Sequence, residues 1–307
     1  MVQVKKVILL AGPTSSGKSK LAIELAKYCD GEVINADSMQ IYKEFSILTS
    51  KPNREDIKIA KHHLYGFNSV KKKFSTGYWL KMVLSKIEEQ WKKGKQPIVV
   101  GGTGLYFKAL TDGLVKIPNI SNKVRTKVRK LHAKIGQKNF YNKLTKLDKK
   151  AKNFIKSSDS QRSMRAYEVK KFTGKSLFDF IKDTKLNYDA KNFRKLFINT
   201  PRDILNRRID ERVEKMFKDG AVEEVKKFLK MKVSKQLSSN KIIGVDEIKN
   251  YLLGKITLIK AKETIKQRTR QYAKRQFTWA RGNMKSWEMI YSSDLDDLFR
   301  KAINKIL

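Results

Sequence analysis

The sequence predicts an α/β protein: a P-loop NTPase-like parallel sheet flanked by helices, with a basic, all-helical domain inserted into it. Three observations predict this. A Gly-x4-Gly-Lys-Ser string, Gly12-Pro13-Thr14-Ser15-Ser16-Gly17-Lys18-Ser19, stands between an apolar run (Val7 to Leu10) and a helix-like segment (Leu21 to Tyr28), the strand-loop-helix setting such a loop requires. Two more apolar runs end in polar, ligand-type residues, one before Asp37 and one before Gly101-Gly102-Thr103-Gly104. From Gly113 to Ala190 the strand signals fade, and 21 Lys plus Arg against 6 Asp plus Glu leave a net of +15. The expected division is a core of 1–112 with 191–307, whose end is a helical extension, and an insertion of 113–190.

The glycines of the first loop let consecutive backbone N–H groups point inward, and the helix that follows adds positive potential at its N-terminus. Lys18 supplies a point charge and the Ser19 hydroxyl a ligand for magnesium. A plain glycine-rich turn would need Gly12 and Gly17 but not the Lys-Ser pair. The ligand expected here carries a diphosphate or triphosphate.

The whole chain of 307 residues carries 69 Lys plus Arg and 30 Asp plus Glu, a formal net charge of +39. Such an excess implies a polyanionic partner, nucleic acid or an anionic membrane surface. Lysine dominates it, so where the charge sits says more than its size. The single cysteine, Cys29, excludes an internal disulfide and a cysteine-based zinc module. The apolar run after Lys5-Lys6 is short and leads straight into the loop, so it reads as a first strand and not a signal peptide. No stretch reaches the ~18 apolar residues of a membrane span. A cytoplasmic protein is expected.

In order along the chain, Glu32 to Ala36 reads as a second strand, and Asp37-Ser38-Met39-Gln40 follows it. The carboxyl ends of parallel strands converge on one crevice, which makes Asp37 a candidate metal ligand or general base; a turn cap is the alternative. His62-His63 project to opposite faces of a strand and read as structural or substrate-adjacent. Tyr78 to Lys93 carries Leu80, Val83, Leu84, Ile87 and Trp91 at helical spacing and stops at Gly94. Pro97 to Val100 is a buried strand; the glycines after it allow close approach to a ligand, and Thr103 offers a hydroxyl. A helix follows from Leu105 to Thr111. The insertion reads as helices broken at Gly136, Ser157-Ser158 and Gly174. Within it Arg162 and Arg165, beside Gln161, share one helical face suited to phosphates. Arg194 to Asn199 returns as a core strand. In Ile204 to Lys218 the stripe Leu205, Ile209, Val213, Met216 is core-facing, and Arg208 and Arg212 lie on its border, where an anion is needed. Lys241 to Asp246 is loop-like. From 260 to 281, eight basic residues accompany one acid, with Tyr272, Phe277 and Trp279 interleaved, a pattern that suits loop RNA.

Taken together, these residues resemble one family, the tRNA dimethylallyltransferases, or tRNA isopentenyltransferases, almost end to end. The resemblance rests on the loop from Gly12 to Ser19, Asp37 to Tyr42, Lys51-Pro52, His62-His63-Leu64, Gly101 to Tyr106, Gln161-Arg162 with Arg165, Arg208-Ile209 with Arg212, and Tyr272 to Gln276 with Thr278-Trp279. The chain departs from the family's pattern at Lys61, Tyr167, Val245 and Asp246. The resemblance implies transfer of a dimethylallyl group from dimethylallyl diphosphate to N6 of the adenosine 3′ of the anticodon in tRNA, with diphosphate released and Mg2+ as cofactor. Asp37 is then the base, Thr103 holds Asp37 or the substrate, and Lys18, Ser19, Arg208 and Arg212 serve the leaving diphosphate. Asp37, Ser38, Met39, Gln40, Thr103, Arg125, Gln161, Arg162, Arg165, Tyr272, Lys274, Arg275, Gln276 and Trp279 meet the tRNA anticodon stem-loop. A monomer without membrane contact is implied. Two rival readings stay open: an isopentenyltransferase acting on free adenine nucleotides, and a small-molecule P-loop kinase.

Overall fold

The computed structural model describes residues 6–306, so Lys5 lies outside the described residues. The chain alternates strand and helix in the order β1 (Val7–Ala11), α1 (Lys18–Tyr28), β2 (Gly31–Asn35), α2 (Arg54–Ile59), β3 (His62–His63), α3 (Thr76–Lys92), β4 (Gln96–Gly101) and α4 (Gly104–Thr111). Helices α5 (Asn122–Leu147), α6 (Ala151–Phe154), α7 (Ser160–Thr173) and α8 (Leu177–Lys182) follow. The sheet resumes with β5 (Phe193–Asn199), then α9 (Arg202–Lys218), α10 (Ala221–Lys230), α11 (Val245–Leu252), α12 (Leu258–Asn283), β6 (Glu288–Tyr291) and α13 (Leu295–Ile306). Two compact units result: one runs through Thr111 and resumes at Tyr188, the other is Asp112–Asn187.

In the first unit six strands form a sheet in the order β3-β2-β4-β1-β5-β6, and every pair is parallel. Val7 to Ala11 is buried on both faces, as the continuous apolar run requires. Ile8 and Leu10 pack with Leu21, Leu25, Leu298 and Ala302 of α1 and α13. Phe197 meets Phe277 of α12 on the other face. Because all strands run the same way, the loops after β1, β2, β4 and β5 leave from one edge. A second core, built on Ile41, Phe45, Val213, Phe228, Val245 and Ile265, fills the space under the long β2–α2 loop. Glu224 of α10 caps that loop from below: its carboxylate accepts the N–H groups of Ser46, Ile47 and Leu48 at 2.6, 2.8 and 2.9 Å.

Helix α3 begins where Ser75 Oγ accepts the Tyr78 N–H, two residues before the expected start, and buries Trp79, Leu80, Val83 and Ile87. The predicted stripe of α9, Leu205, Ile209, Val213 and Met216, is buried. Val245 and Asp246, expected in a loop, are instead the first turn of α11: Gly244 at φ 106° starts it, and the Glu247 carboxylate accepts the Gly244 N–H. Strand β6 and helix α13 had no counterpart in the sequence reading.

The second unit has its own core of Val128, Phe140, Leu144, Ala166, Tyr167 and Phe178. Gly136, at φ 73° and ψ 168°, breaks the helical path of α5 without ending the element, and Gly174 at φ 72° ends α7. No helix among the described residues is long and apolar enough to cross a membrane.

Candidate active site

The loop after β1 wraps the start of α1. Gly17 sits at φ 89°, a backbone setting open to glycine and strained for most other residues. Lys18 folds back and donates to the Pro13 carbonyl at 3.0 Å. Burial lowers its ammonium to about 8; the Asp37 carboxylate pulls the value up and the Arg212 guanidinium pushes it further down. Arg212, from α9, donates Nη1 to Thr14 Oγ1 at 2.7 Å. Among the described residues its Nε is buried without a hydrogen-bond partner, as are the hydroxyls of Ser15 and Ser16. Burial lowers the Arg212 guanidinium too, with Asp37 acting against the shift. Buried donors and cations left uncompensated in this way have the chemistry that suits an anion. They face a cavity of about 550 Å³ that also holds Ser19, Asp37, Gln40 and Arg208. Arg208 donates Nη2 to the Ser293 carbonyl.

Asp37 is held at the end of β2 by a chain of hydrogen bonds. Asn35 Oδ1 accepts the Asp37 N–H at 2.7 Å, and Asn35 Nδ2 donates to the Asp37 and Leu64 carbonyls at 3.0 Å each. Asp37 Oδ1 accepts the Met39 N–H at 2.8 Å, a local turn typical of aspartate. Thr103, from the loop after β4, accepts the Ser38 N–H at 2.9 Å and donates to Ser38 Oγ at 3.3 Å. Gly101 is required there, since an added Cβ would stand 2.2 Å from the Ala36 backbone.

Next to Asp37 lies a second cavity, of about 240 Å³, lined by Gly12, Ser38, Gly102, Thr103, Tyr272, Arg275 and Trp279. Gly104 lies under the Trp279 ring, which an added Cβ would meet at 2.2 Å. Burial raises the Tyr272 phenol, and the Asp37 charge raises it further. Gln276 joins two loops of the site: Oε1 accepts the Thr14 N–H and Nε2 donates to the Gly102 carbonyl, both at 2.9 Å.

The fold thus brings together Gly12 to Ser19, Asp37, Ser38, Gln40, Thr103, Arg208, Arg212, Tyr272, Arg275, Gln276 and Trp279. Met39 packs its side chain on the second core instead. Lys274 lines a shallow depression with Gln271, Arg275 and Trp279. Arg125, Gln161, Arg162 and Arg165 belong to the other unit, on α5 and α7. His63 pairs with Glu32 at 2.6 Å and His62 with the Ala60 carbonyl. The sequence reading missed Lys215, which lines the larger cavity and stands three residues after Arg212 and seven after Arg208, a helical period that could have revealed it. It also missed Asn35, which anchors the Asp37 backbone, and Leu295 and Leu298 of α13, which line the same cavity; nothing in their spacing signals them.

The parallel sheet and the phosphate-type loop after its central strand define a P-loop α/β protein. Within that class, the sequence profile of the IPP transferase family matches residues 40–283. The tRNA dimethylallyltransferase of Pelagibacter ubique is 51% identical over 301 residues, covering 98% of this chain and 96% of its own. That of Rickettsia bellii (strain OSU 85-389) is 44% identical over 299 residues, covering 97% and 95%. Among solved structures, the full-length tRNA isopentenylpyrophosphate transferase of Bacillus halodurans superposes with a TM-score of 0.71 at 31% identity, covering 98% of this chain and 95% of that one. A eukaryotic dimethylallyltransferase acting on tRNA gives 0.85 at 30%, covering 98% and 77%. The chain belongs to the IPP transferase family, and the two relatives above are named tRNA dimethylallyltransferases.

Proposed function

We propose that the protein transfers the dimethylallyl group of dimethylallyl diphosphate to N6 of the adenosine 3′ of the anticodon in tRNA. One observation carries the mechanism: Asp37 lines the larger, anion-type cavity while its neighbours Ser38 and Thr103 line the smaller one. A donor diphosphate in the first and an adenine in the second meet at the Asp37 loop. N6 attacks C1 of the donor, the C1–O bond breaks, and the diphosphate leaves with the bonding pair. The exocyclic amine is a weak nucleophile because its lone pair is delocalised into the ring, so its proton must be taken as the C–N bond forms; of the two carboxylates lining the cavity, Asp37, beside Ser38 of the smaller cavity, is assigned to take it. Charge grows on the leaving diphosphate. The P-loop N–H groups, Lys18 and Arg212 stabilise it, with Arg208 at the edge of the cavity. Thr103 holds the Asp37-Ser38 loop toward the acceptor.

Magnesium fits this site as the companion of a diphosphate, with Ser19 as a protein ligand; among the described residues no group of three His, Cys, Asp or Glu could hold a metal by itself. Bound there, it neutralises diphosphate charge. The adenine must leave its stack to reach the smaller cavity, where Trp279, Tyr272 and Arg275 offer ring faces and a cation. Lys274 extends this surface, and Arg125, Gln161, Arg162 and Arg165 of the basic unit grip the anticodon stem-loop as phosphate contacts. We place the reaction in the cytoplasm and assign it to a monomer.

The test incubates the protein with radiolabelled dimethylallyl diphosphate, magnesium and tRNA, AMP or no acceptor. Label in tRNA alone is expected; label in AMP would replace the tRNA reading with that of a free-nucleotide enzyme. In the same assay Asp37→Asn, which keeps an oxygen for the Met39 N–H but cannot take a proton, lowers transfer at least about 100-fold with tRNA affinity within about threefold. Transfer near the wild-type rate would remove Asp37 from the mechanism.

A further inference from the structure

Gln276 is 9% exposed and has both ends of its amide engaged by loops from different strands. The Thr14 N–H needs an acceptor and the Gly102 carbonyl a donor, so one orientation of the amide serves both. The amide is closely packed against Gly102: a Cβ there would stand 2.1 Å from Gln276 Nε2 and 3.3 Å from the Gly12 carbonyl oxygen. Thr14 is gripped a second time, through its hydroxyl, by Arg212. Its neighbour Pro13 carries the carbonyl on which Lys18 rests. The brace therefore acts on the part of the loop that sets the Lys18 ammonium.

On α12 itself, Tyr272, Arg275, Gln276 and Trp279 follow the spacing i, i+3, i+4, i+7 and share one stripe. All four line the smaller cavity. The helix that faces the acceptor thus carries, between its acceptor-facing side chains, the amide that holds the donor loop.

We infer that Gln276 is a positioning residue that couples RNA seated on α12 to the affinity of the P-loop for the diphosphate donor, so that each substrate tightens the other. The inference rests on the proposed function. RNA that presses on Tyr272, Arg275 and Trp279 holds α12 against the sheet, and the brace then holds Pro13 and Thr14 in the anion-binding conformation. A loop already held loses less freedom when the diphosphate binds. Such coupling is reciprocal by thermodynamic necessity.

The experiment measures the dissociation constant of dimethylallyl thiodiphosphate, an analogue whose leaving group reacts slowly, with and without a saturating anticodon stem-loop, and then the converse. In the wild type both ratios are expected to agree and to be at least about fivefold. Gln276→Met fills the same space without an amide; it should bring the ratio to about one, and stem-loop affinity measured without donor shows separately what any lost RNA contact contributes. Gly102→Ala attacks the brace from the other side and should act alike. A wild-type ratio of one overturns the inference, whatever the variants do. So does an undiminished ratio in Gln276→Met or Gly102→Ala. If the wild type binds the analogue but no stem-loop, the functional reading falls first and the inference with it, which separates the two failures. Should both variants fail to fold, Gln276→Glu, which keeps an acceptor for Thr14 but repels the Gly102 carbonyl, is expected to lower the ratio; an unchanged ratio there overturns the inference.

Discussion

Lys18 shows what an anion site costs a protein before the anion arrives. Its ammonium is buried, shares the cavity with Arg212 and is lowered to about 8. A diphosphate binds the charged form. Near pH 7 Lys18 already carries its proton and donor affinity should change little with pH. Above pH 8 the free site must take up a proton as it binds, so the donor dissociation constant should rise by up to tenfold per pH unit. Calorimetric titrations of the donor in buffers of different ionisation enthalpy are expected to show proton uptake at pH 9 and much less at pH 7. Lys18→Ala should weaken donor binding at pH 7 and remove the upward bend; a bend that survives the substitution would mean that another group titrates. At the same scale, Asp37 is anchored through its backbone by the Asn35 amide, and the adjacent Ser38 by Thr103.

At the scale of elements, the loop between β2 and α2 forms one wall of the larger cavity through Gln40, Thr49 and Ser50. Gln40 pins that wall by donating Nε2 to the Thr49 and Ser50 carbonyls at 2.9 and 2.8 Å. Glu224 supports it from α10 by accepting three backbone N–H groups. Removing the carboxylate leaves three N–H groups without their acceptor, that of Leu48 in a buried place. Glu224→Ala should therefore destabilise the protein by about 3 kcal/mol, read from denaturant unfolding, and raise the donor KM more than it changes tRNA affinity. A loss below about 0.5 kcal/mol would show that the loop finds other partners. Element α9 has a double task of the same kind: one stripe is core, and the border carries Arg208, Arg212 and Lys215 to the cavity.

At the scale of the whole molecule the question is whether the +39 charge is a built RNA surface or a diffuse attraction. Each phosphate contact releases counterions, so log affinity falls with log salt by about 0.7 to 0.9 per contact. Arg162, with its side chain 71% exposed beside Asp159, and Arg165, 38% exposed beside the buried Glu168, project from α7. Neutralising this pair, or Lys274 with Arg275, should lower the salt slope for tRNA by about one to two units and weaken binding. Neutralising Lys92 and Lys93, at the end of α3, should do neither. Equal slopes for all three double variants would leave only a diffuse field.

The phosphate loop, Asp37, the glycines around Thr103 and the arginines of α9 were all legible in the chain, because each depends on local chemistry: a turn that needs glycine, a charge at a strand end, a cation on an apolar border. The family's motifs were legible for the same reason. Tertiary structure alone decided what stands between these pieces. Nothing in the sequence said that Gln276 would reach across to both Thr14 and Gly102, since its partners are 262 and 174 residues away. Nor did it show that β6 and α13 complete the sheet and the cavity wall. The strand is four residues long and has one buried residue, too little to leave a periodic trace; its register comes from pairing with β5. Val245 and Asp246 read as the end of a loop from Lys241 because nothing in that short stretch reports the Gly244 and Glu247 hydrogen bond that starts a helix there. Local chemistry names the groups a site needs, and only packing over long sequence distances sets how far apart they stand and what holds them.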